Sequence, residues 1–338
     1  MKITKNASLK SFNTFGIEAI AHQLIQIQNV KDIQYCVSKG WLAKEIESLV
    51  LGGGSNMLFT RDLPFEVIKI EIDGLEQIAD DNGHVLVKVG AGVVWNSLVE
   101  WAVENNLSGI ENLVLIPGTC GAAPVQNIGA YGVELCDVFH SLEAVHRVTG
   151  TLRTFDLQAC EFSYRQSVFK KELKNQYIIS SITLRLGKSF TPNLSYGALR
   201  DRINLAICKP TIAEVSREVA AIRNEKLPDP VQIGNAGSFF KNPIISLADF
   251  ERIQGMFPDV PHFVGKENSI KIPAGWLIEQ CGLKGYRQNQ AGIHERQALV
   301  IVNYGGATGK DILNLSHMVQ DTVYAKFGIV LEPEVNII

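Results

Sequence analysis

The sequence predicts a mixed α+β fold divided into two or three domains. At 338 residues, the chain is longer than one domain usually is. Short runs rich in β-branched residues alternate with amphipathic helical patterns, which is the second sign of a mixed fold. The third is the helix stop at Lys226-Leu227-Pro228-Asp229-Pro230, where two prolines end a helical pattern and mark a domain boundary.

Composition and charge exclude several classes of protein. Lys and Arg number 32 against 35 Asp and Glu, a net charge of −3 without a basic cluster, so nucleic acid and anionic membranes are poor partners. The N-terminus lacks the apolar segment of a signal peptide, and no apolar run approaches about 18 residues. Scattered cysteines without a Cys-x-x-Cys pair predict buried thiols in a reducing compartment, hence a cytoplasmic protein. They are Cys36, Cys120, Cys136, Cys160, Cys208 and Cys281.

Local patterns place the elements of the first half of the chain. Asn29, with Asp32 three residues on, begins a helix that runs to about residue 40. The residues Asp80-Asp81-Asn82-Gly83 predict a hairpin turn. Apolar residues at helical spacing from Trp95 predict an amphipathic helix that ends at Asn105. Strands are predicted at residues 49–51, 65–72, 84–89, 141–148, 151–155 and 177–186.

Capping signals place the elements of the second half. Helices are predicted to begin at the capping patterns of residues 211–214, 246–249 and 308–311 and at Pro273. Their predicted ends include Lys226, Gly282 and Gly328. Residues 298–303 form a predicted buried strand. The apolar tail, residues 330–338, should be tied into a core.

The chain is organised around the loop Leu51-Gly52-Gly53-Gly54-Ser55-Asn56. A dinucleotide fingerprint would need another glycine where Met57 stands, and a P-loop would need a lysine that does not follow. The pattern is strand–loop–strand, so a pyrophosphate would lie on backbone N–H groups without a helix dipole. A tight glycine turn explains the loop equally well.

A second glycine-rich stretch, residues 115–132, is too interrupted for a stable helix and too apolar for a disordered linker. Extended backbone with very small side chains suits a large flat ligand, such as an isoalloxazine ring whose edge atoms bind N–H and C=O groups. An ordinary glycine-rich loop is the alternative. Because one stretch suits a pyrophosphate and the other a ring, we interpret them together as an FAD site outside the Rossmann fold.

These stretches, in their order, resemble the UDP-N-acetylenolpyruvoylglucosamine reductase family (MurB), type I branch. The resemblance covers nearly the whole chain and includes Asn13-Thr14-Phe15, Tyr164-Arg165, residues 234–243 and Glu334-Val335. The loop at residues 194–199 resembles the substrate-covering loop of that branch. Two departures are Asn336, where the family usually has a basic residue, and a shorter C-terminal tail.

The resemblance implies a fold and a division into domains. The fold is an FAD-binding domain of the vanillyl-alcohol-oxidase/PCMH type, built of two α+β lobes, followed by a C-terminal α+β substrate-binding domain. The first lobe would span residues 1–72, joined by the tail 330–338. The second lobe would span residues 73–222, and the substrate domain residues 223–329.

The implied reaction is NADPH-dependent, FAD-mediated reduction of UDP-N-acetyl-3-O-(1-carboxyvinyl)-glucosamine to UDP-N-acetylmuramate, in peptidoglycan precursor synthesis. Hydride passes from flavin N5 to the β-carbon, and charge moves onto the substrate carboxylate. Arg165 suits that carboxylate, Glu334 could donate a hydrogen bond if the site keeps it protonated, and Ser238 is the family-matched proton donor to the α-carbon. Otherwise these would be a loop arginine, a surface acid and a turn serine.

The resemblance assigns further binding residues, with no metal and no nucleic-acid or membrane partner. Contacts to the substrate are expected from Tyr164, Tyr196, Lys226 and Asn242. Non-covalently bound FAD is expected at Gly52, Gly53, Gly54, Ser55, Asn56, Pro117, Gly118, Gly121, Ala122, Gly129, Ala130 and Tyr131. We expect a monomer. Two other hypotheses are an FAD oxidase of the same cofactor fold and a non-catalytic UDP-sugar-binding or regulatory protein with a degenerate site. An oxidase has no need of the Ser238 and Glu334 stretches.

Overall fold

The computed structural model describes residues 1–43, 47–203, 209–264 and 269–338, and these contain twenty strands and seven α-helices. The strands are β1 (Lys2–Ser8), β2 (Ile20–Ile27), β3 (Ser48–Leu51), β4 (Met57–Leu58), β5 (Leu63–Ile70), β6 (Leu75–Asp81), β7 (His84–Gly90), β8 (Gly129–Ala130), β9 (Val133–Glu134), β10 (Phe139–His146), β11 (Leu152–Asp156), β12 (Tyr177–Gly187), β13 (Gly234–Ser238), β14 (Ile244–Ile245), β15 (Phe263–Val264), β16 (Ile270–Lys271), β17 (Arg287–Gln288), β18 (Ala291–Ile293), β19 (Val300–Asn303) and β20 (Asn336–Ile337). The α-helices are α1 (Val30–Ser38), α2 (Trp95–Glu104), α3 (Gly197–Arg202), α4 (Ile212–Lys226), α5 (Leu247–Met256), α6 (Ala274–Gln280) and α7 (Gly309–Phe327).

The chain divides into two compact units. Unit 1 contains residues 1–7, 21–53 and 63–225, and unit 2 contains residues 8–20, 54–62 and 226–338. One boundary therefore falls inside the glycine loop, between Gly53 and Gly54, and another at the C-terminal end of α4. The division into residues 1–72, 73–222 and 223–329 made from the sequence stays a prediction.

Unit 1 contains two main sheets. In the first, with strand order β1-β2-β5-β3, both β2 and β3 run parallel to β5. The second has the order β11-β10-β12-β7-β6 with antiparallel neighbours. The predicted hairpin turn joins β6 to β7, with φ of +44° at Asn82 and +85° at Gly83. Positive φ at both central positions is what a type I′ turn requires, so this prediction is confirmed.

Helix α2 belongs to the core of unit 1 and anchors the N-terminal end of the glycine-rich stretch, residues 115–132. Trp95, Leu98, Val99 and Ala102 of α2 are buried, which confirms the predicted apolar stripe. Burying a large apolar side chain contributes about 1.5–3 kcal/mol. The Trp95 indole N–H also donates a 3.0 Å hydrogen bond to the carbonyl of Leu113, so α2 anchors the backbone just before residues 115–132.

Unit 2 contains three small sheets. Their strand orders are β13-β19-β18-β17, β14-β16-β15 and β20-β4, the last a parallel pair. Leu331 and Val335 are buried, so the tail is tied into a core as expected. In α7, Thr308 and Asp311 form the predicted capping box, and Gly328 ends the helix with φ of +66°. In unit 1, Thr211 and Glu214 exchange the same reciprocal hydrogen bonds at the start of α4.

Some features differ from the sequence-based expectation. Residues 123–126 of the glycine-rich stretch form one turn of 3-10 helix, which is possible because Pro124 lies in its first turn. Cys36, Cys120 and Cys160 are buried, whereas Cys136 and Cys281 are partly exposed, and all five are free thiols. Cys208 lies outside the described residues. Across the described ranges, none of the helices has the length and apolar character needed to cross a bilayer.

Candidate functional site

The two glycine-rich stretches of unit 1 contact each other directly. A Cβ on Gly53 would lie 2.8 Å from the Cα of Gly118, and one on Gly52 would lie 2.7 Å from Thr119 Oγ1. Real Cβ contacts are essentially never this short. Glycine at 53 is therefore explained by close packing against the backbone of Gly118, and glycine at 52 by close packing against the Thr119 side chain.

This contact leaves polar groups that fit a cofactor. In the described part of the chain, the amides of Gly53, Gly118 and Thr119 donate no hydrogen bond to a protein atom. The Thr119 hydroxyl oxygen is buried without a partner. Because buried polar groups are nearly always paired, the buried Thr119 hydroxyl indicates a missing partner, and the unpaired amides of the half-buried Gly53 and Gly118 can donate to the same ligand. The phosphates and ring edge of FAD provide such acceptors.

In unit 2, the second half of the glycine loop is tied to the C-terminal tail. Gly54 has φ of +64°, and a Cβ there would lie 1.9 Å from the carbonyl oxygen of Phe12. The Asn56 side chain donates to the carbonyl of Glu334 at 3.2 Å, and the amide of Asn336 donates to the carbonyl of Asn56. The order strand β3, loop, strand β4 agrees with the predicted strand–loop–strand pattern. Ser55 lies between these anchored residues.

The segment of residues 117–122 packs on the start of α2 and the loop before it. The amide of Cys120 donates to the carbonyl of Val93, and the amide of Gly121 donates to the carbonyl of Ala91. A Cβ on Gly121 would lie 2.5 Å from that of Ala91, so only glycine fits. Pro117 and Ala122 belong to the same segment.

Residues 127–131 form a turn held by a buried asparagine. Asn127, with φ of +44°, donates from its side chain to the Glu134 carboxylate and accepts from the amide of Cys136. Gly129 and Ala130 form the two-residue strand β8, paired with β9. The sequence analysis did not single out Asn127, although asparagine is one of the few residues that tolerate a left-handed conformation.

Arg165 lies against this turn. Its guanidinium donates a 2.7 Å hydrogen bond to the carbonyl of Gly129 and lies 5.3 Å from the centroid of the Tyr164 ring. Its backbone has φ of +55°, an uncommon conformation for a long side chain. Two of the sequence-predicted site residues, Arg165 and Gly129, are thus brought together in unit 1.

Tyr196 is also part of unit 1 and lies beside Tyr131. Their rings meet edge to face with centroids 4.9 Å apart. The buried Asn112 side chain donates to the carbonyls of both Tyr131 and Asn193, and the Asn193 side chain donates to the carbonyl of Gly132. Asn112 therefore positions the loop that carries Tyr196. Nothing in the sequence pattern around residue 112 distinguishes it, because its partners are distant along the chain.

Ser238 lies at the end of a bulged strand in unit 2. It pairs with Val300, but the register of β13 shifts between Asn235 and Ser238. Gly237 takes φ of +70°, and its amide donates to the Asn235 side chain at 2.9 Å. A bulge re-aims the side chain that follows it. Within the described residues, the Ser238 hydroxyl has no protein hydrogen-bond partner.

The chain segment that contains Glu334 runs antiparallel to the segment that follows Ser238. The amide of Glu334 donates a 2.8 Å hydrogen bond to the carbonyl of Phe239, and Phe240 forms an isolated bridge with Pro333. The backbones that carry two of the predicted catalytic residues are thereby adjacent in unit 2. Glu334 itself is half-buried.

The remaining predicted substrate contacts, Lys226 and Asn242, are also in unit 2. Lys226 is the last residue of α4. The Asn242 side-chain oxygen accepts a 2.9 Å hydrogen bond from the amide of Ala274, so it also caps α6. No cluster of three or more His, Cys, Asp or Glu suited to a metal ion occurs among the residues described.

Comparison with known proteins shows similarity over the full length. A family model described as the UDP-N-acetylenolpyruvoylglucosamine reductase C-terminal domain matches residues 229–338, and an FAD binding domain model matches residues 21–156. Proteins named UDP-N-acetylenolpyruvoylglucosamine reductase from Flavobacterium johnsoniae and Pseudomonas aeruginosa are 48% and 46% identical to the chain. The first match covers 100% of both chains, and the second covers 100% of this chain and 99% of the relative.

Structural comparison agrees with the sequence comparison. The crystal structure of the reductase (MurB) from Thermus caldophilus matches with a TM-score of 0.68 and 27% identity. The match covers 99% of this chain and 98% of that one.

Proposed function

The chain belongs to the UDP-N-acetylenolpyruvoylglucosamine reductase family, and on this premise we propose that it reduces UDP-N-acetyl-3-O-(1-carboxyvinyl)-glucosamine to UDP-N-acetylmuramate. It is an FAD-dependent oxidoreductase of peptidoglycan synthesis that uses NADPH as electron donor. Full-length identity of 48%, with both family models matched, supports the proposal.

The observation that carries the proposal is the adjacency of the Ser238 and Glu334 backbones in unit 2. A bulge aims a hydroxyl that has no protein partner in the described residues, and an acid lies on the neighbouring segment of the chain. A hydroxyl can deliver a proton to a strongly basic carbon, and an acid can bind the developing charge. Flavoprotein oxidases, the alternative, have no use for this pair.

Bound FAD supplies hydride to the β-carbon of the substrate double bond. We assign the backbone groups of residues 52–56 to its pyrophosphate and those of residues 117–122 and 129–131 to its ring. The orphaned amides of Gly53, Gly118 and Thr119, together with the Thr119 hydroxyl, support this assignment. No cofactor-linking residue is required, so the cofactor should be released by denaturation.

We assign Arg165 to the substrate carboxylate, because a planar guanidinium matches two carboxylate oxygens. Its hydrogen bond to Gly129 holds the guanidinium at the turn that we assign to the flavin ring. We assign Glu334, in its protonated form, to donate a hydrogen bond to the negative charge that develops on the substrate. Ser238 then gives its proton to the α-carbon, and solvent restores the hydroxyl.

We assign Tyr164, Tyr196, Lys226 and Asn242 to the remainder of the substrate. A phenol and an ammonium group suit a diphosphate, and an amide suits polar groups of a nucleotide. The edge-to-face contact with Tyr131 supports a fixed position for the Tyr196 ring. The scattered cysteines further support an enzyme of the reducing cytoplasm, and we propose that it acts as a monomer.

Absorbance spectroscopy of the purified protein tests the function. We expect a flavin spectrum, bleaching by NADPH under anaerobic conditions, and recovery only when the enolpyruvyl substrate is added. Recovery driven by oxygen at least as fast as by the substrate would indicate an oxidase. A protein that stays colourless after incubation with FAD would contradict the cofactor assignment.

A further inference from the structure

Asn112, in the single turn of 3-10 helix Glu111–Leu113 of unit 1, joins two loops that the proposed function uses. The residue is fully buried, and its Nδ2 donates hydrogen bonds of 2.9 Å to the carbonyl of Tyr131 and of 3.0 Å to the carbonyl of Asn193. Its Oδ1 is buried without a partner among the residues described. The reverse orientation of the amide would place Oδ1 against two carbonyl oxygens, so the two acceptors fix which atom faces them.

The loop that carries Tyr196 depends on these bonds for its position. In the described chain, the carbonyl of Asn193 is the one backbone group of residues 190–195 that hydrogen-bonds to a distant segment. The Asn193 side chain donates a 2.9 Å hydrogen bond to the carbonyl of Gly132 and accepts from the amide and the hydroxyl of Ser195. Residues 190–195 contain no helix or strand, so no regular pattern of backbone bonds substitutes for these contacts.

The other partner of Asn112 is a turn with a defined conformation. Tyr131 and Gly132 join β8 to β9 as a two-residue hairpin, with φ of +50° and +83°, as a type I′ turn requires. A Cβ on Gly132 would lie 2.2 Å from Ser195 Oγ, and the Tyr131 and Tyr196 rings meet edge to face with centroids 4.9 Å apart. The tyrosine loop therefore packs on the hairpin, and Asn112 bonds to both.

We propose that Asn112 is a positioning residue that sets the affinity for the UDP-sugar substrate through the Tyr196 hydroxyl, without touching the substrate. The hairpin belongs to the segment that we assign to the flavin ring, and Tyr196 is assigned to the substrate. Two donors on one planar amide hold these segments at a fixed separation, so the phenol is in place before the substrate binds. A preorganised group loses less conformational freedom on binding, which raises affinity. This inference rests on the proposed function.

The test is a double-mutant cycle on the substrate KM, measured with FAD-loaded enzyme, NADPH and the enolpyruvyl substrate. Asn112→Ala should raise the KM about three- to tenfold when Tyr196 is present, and less than about twofold in the Tyr196→Phe background, because both residues act through one hydroxyl. The absorbance spectrum of the bound flavin and its rate of reduction by NADPH should equal those of the wild type.

The matched control is Asn303→Ala in unit 2. Asn303 is also a buried asparagine, and its Nδ2 donates a 2.9 Å hydrogen bond to the carbonyl of Phe15. Its removal leaves an unpaired buried carbonyl, as Asn112→Ala does, but affects neither loop. Asn303→Ala should therefore lower the Tm and leave the substrate KM unchanged.

Three results would overturn the proposal. An equal rise of the KM in both backgrounds would show that Asn112 does not act through Tyr196. An unchanged KM with only a lower Tm would make Asn112 structural, and slower flavin reduction by NADPH would assign it to the flavin turn. A wild-type enzyme that does not reduce the substrate would overturn the proposed function as well, whereas additive variants of an active wild type overturn this inference alone.

A second variant keeps the test decisive if Asn112→Ala does not fold. Asn193→Ala changes a half-buried residue and removes the hydrogen bond to the carbonyl of Gly132. In the same cycle it should raise the KM only when the Tyr196 hydroxyl is present. A KM equal to that of the wild type, or a rise that is independent of the hydroxyl, rejects the proposal.

Discussion

The backbone N–H of Glu334 donates a 2.8 Å hydrogen bond to the carbonyl oxygen of Phe239, the residue that follows Ser238. This bond joins the C-terminal tail to the end of a bulged strand. Each segment is short and has little regular structure, so the position of either side chain depends on the other segment. The pair therefore provides the sharpest tests of the proposed chemistry.

The first prediction concerns the two half-reactions. Transfer of hydride from NADPH needs no proton from a serine, so Ser238→Ala should be reduced by NADPH at a near-normal rate. Reoxidation by the enolpyruvyl substrate should slow by about 10²–10⁴-fold, the usual contribution of a positioned proton donor. Stopped-flow absorbance at the flavin band follows each step separately.

Two further variants complete this test. Ser238→Cys should recover part of the lost rate, because a thiol also delivers a proton. Ser246→Ala is the control, since Ser246 caps α5 and has no assigned catalytic role. If Ser238→Ala slows reduction by NADPH as much as reoxidation, Ser238 is structural.

The second prediction concerns substrate binding. Tyr196→Phe retains the ring contact with Tyr131 and removes only the hydroxyl, and Lys226→Ala removes an ammonium group. Hydrogen bonds to charged groups contribute about 1.5–3 kcal/mol, so the substrate KM should rise about tenfold or more in each variant. The rate of flavin reduction by NADPH should change little. Tyr324→Phe, at an exposed tyrosine, is the control. An unchanged KM in both test variants would place the UDP contacts elsewhere.

The third prediction concerns the glycine loop. At Gly54 a Cβ would meet the carbonyl oxygen of Phe12 at 1.9 Å, and φ is +64°. Gly54→Ala should therefore lower the free energy of unfolding by at least about 1–3 kcal/mol, the cost of backbone strain alone. Gly255→Ala is the control, because Gly255 lies in α5, where a Cβ would meet no atom within 4 Å, and alanine there should stabilise by about 0.5–1 kcal/mol. Urea denaturation measures both, and equal stability of Gly54→Ala and wild type would refute the packing argument.

The fourth prediction concerns pH. Burial raises the pKa of the Glu111 carboxyl above its usual value of 4.5. Between that value and the raised pKa, the folded protein holds more protons than the unfolded chain, so this group makes stability fall as pH rises. Glu111→Gln keeps an oxygen that can accept from the amide of Gly109 and removes the charge.

The free energy of unfolding of Glu111→Gln, relative to that of the wild type, should therefore increase with pH from about 4.5 and level off above the raised pKa. Urea denaturation from pH 4 to 8 measures this difference, on the order of 1 kcal/mol per pKa unit. The matched control is Glu104→Gln, at an exposed position at the end of α2. A flat difference for Glu111→Gln would show that its burial has no effect on ionisation.

Local sequence alone determined much of the fold. Asn82 and Gly83 predict their turn, and Thr308 with Asp311 predicts the start of α7, because the groups that bond lie within a few residues of one another. The same holds for the order strand, glycine loop, strand, which excluded both common phosphate-binding motifs. Family resemblance added Arg165, Ser238 and Glu334, whose assignment no local pattern supports.

Tertiary structure alone decided the contacts between distant segments. Gly53 must be glycine because Gly118 packs on it, and the Glu334 and Ser238 segments pair although one lies in the tail. Neither propensity nor periodicity encodes such contacts, because the chain must fold before residues far apart in sequence become neighbours.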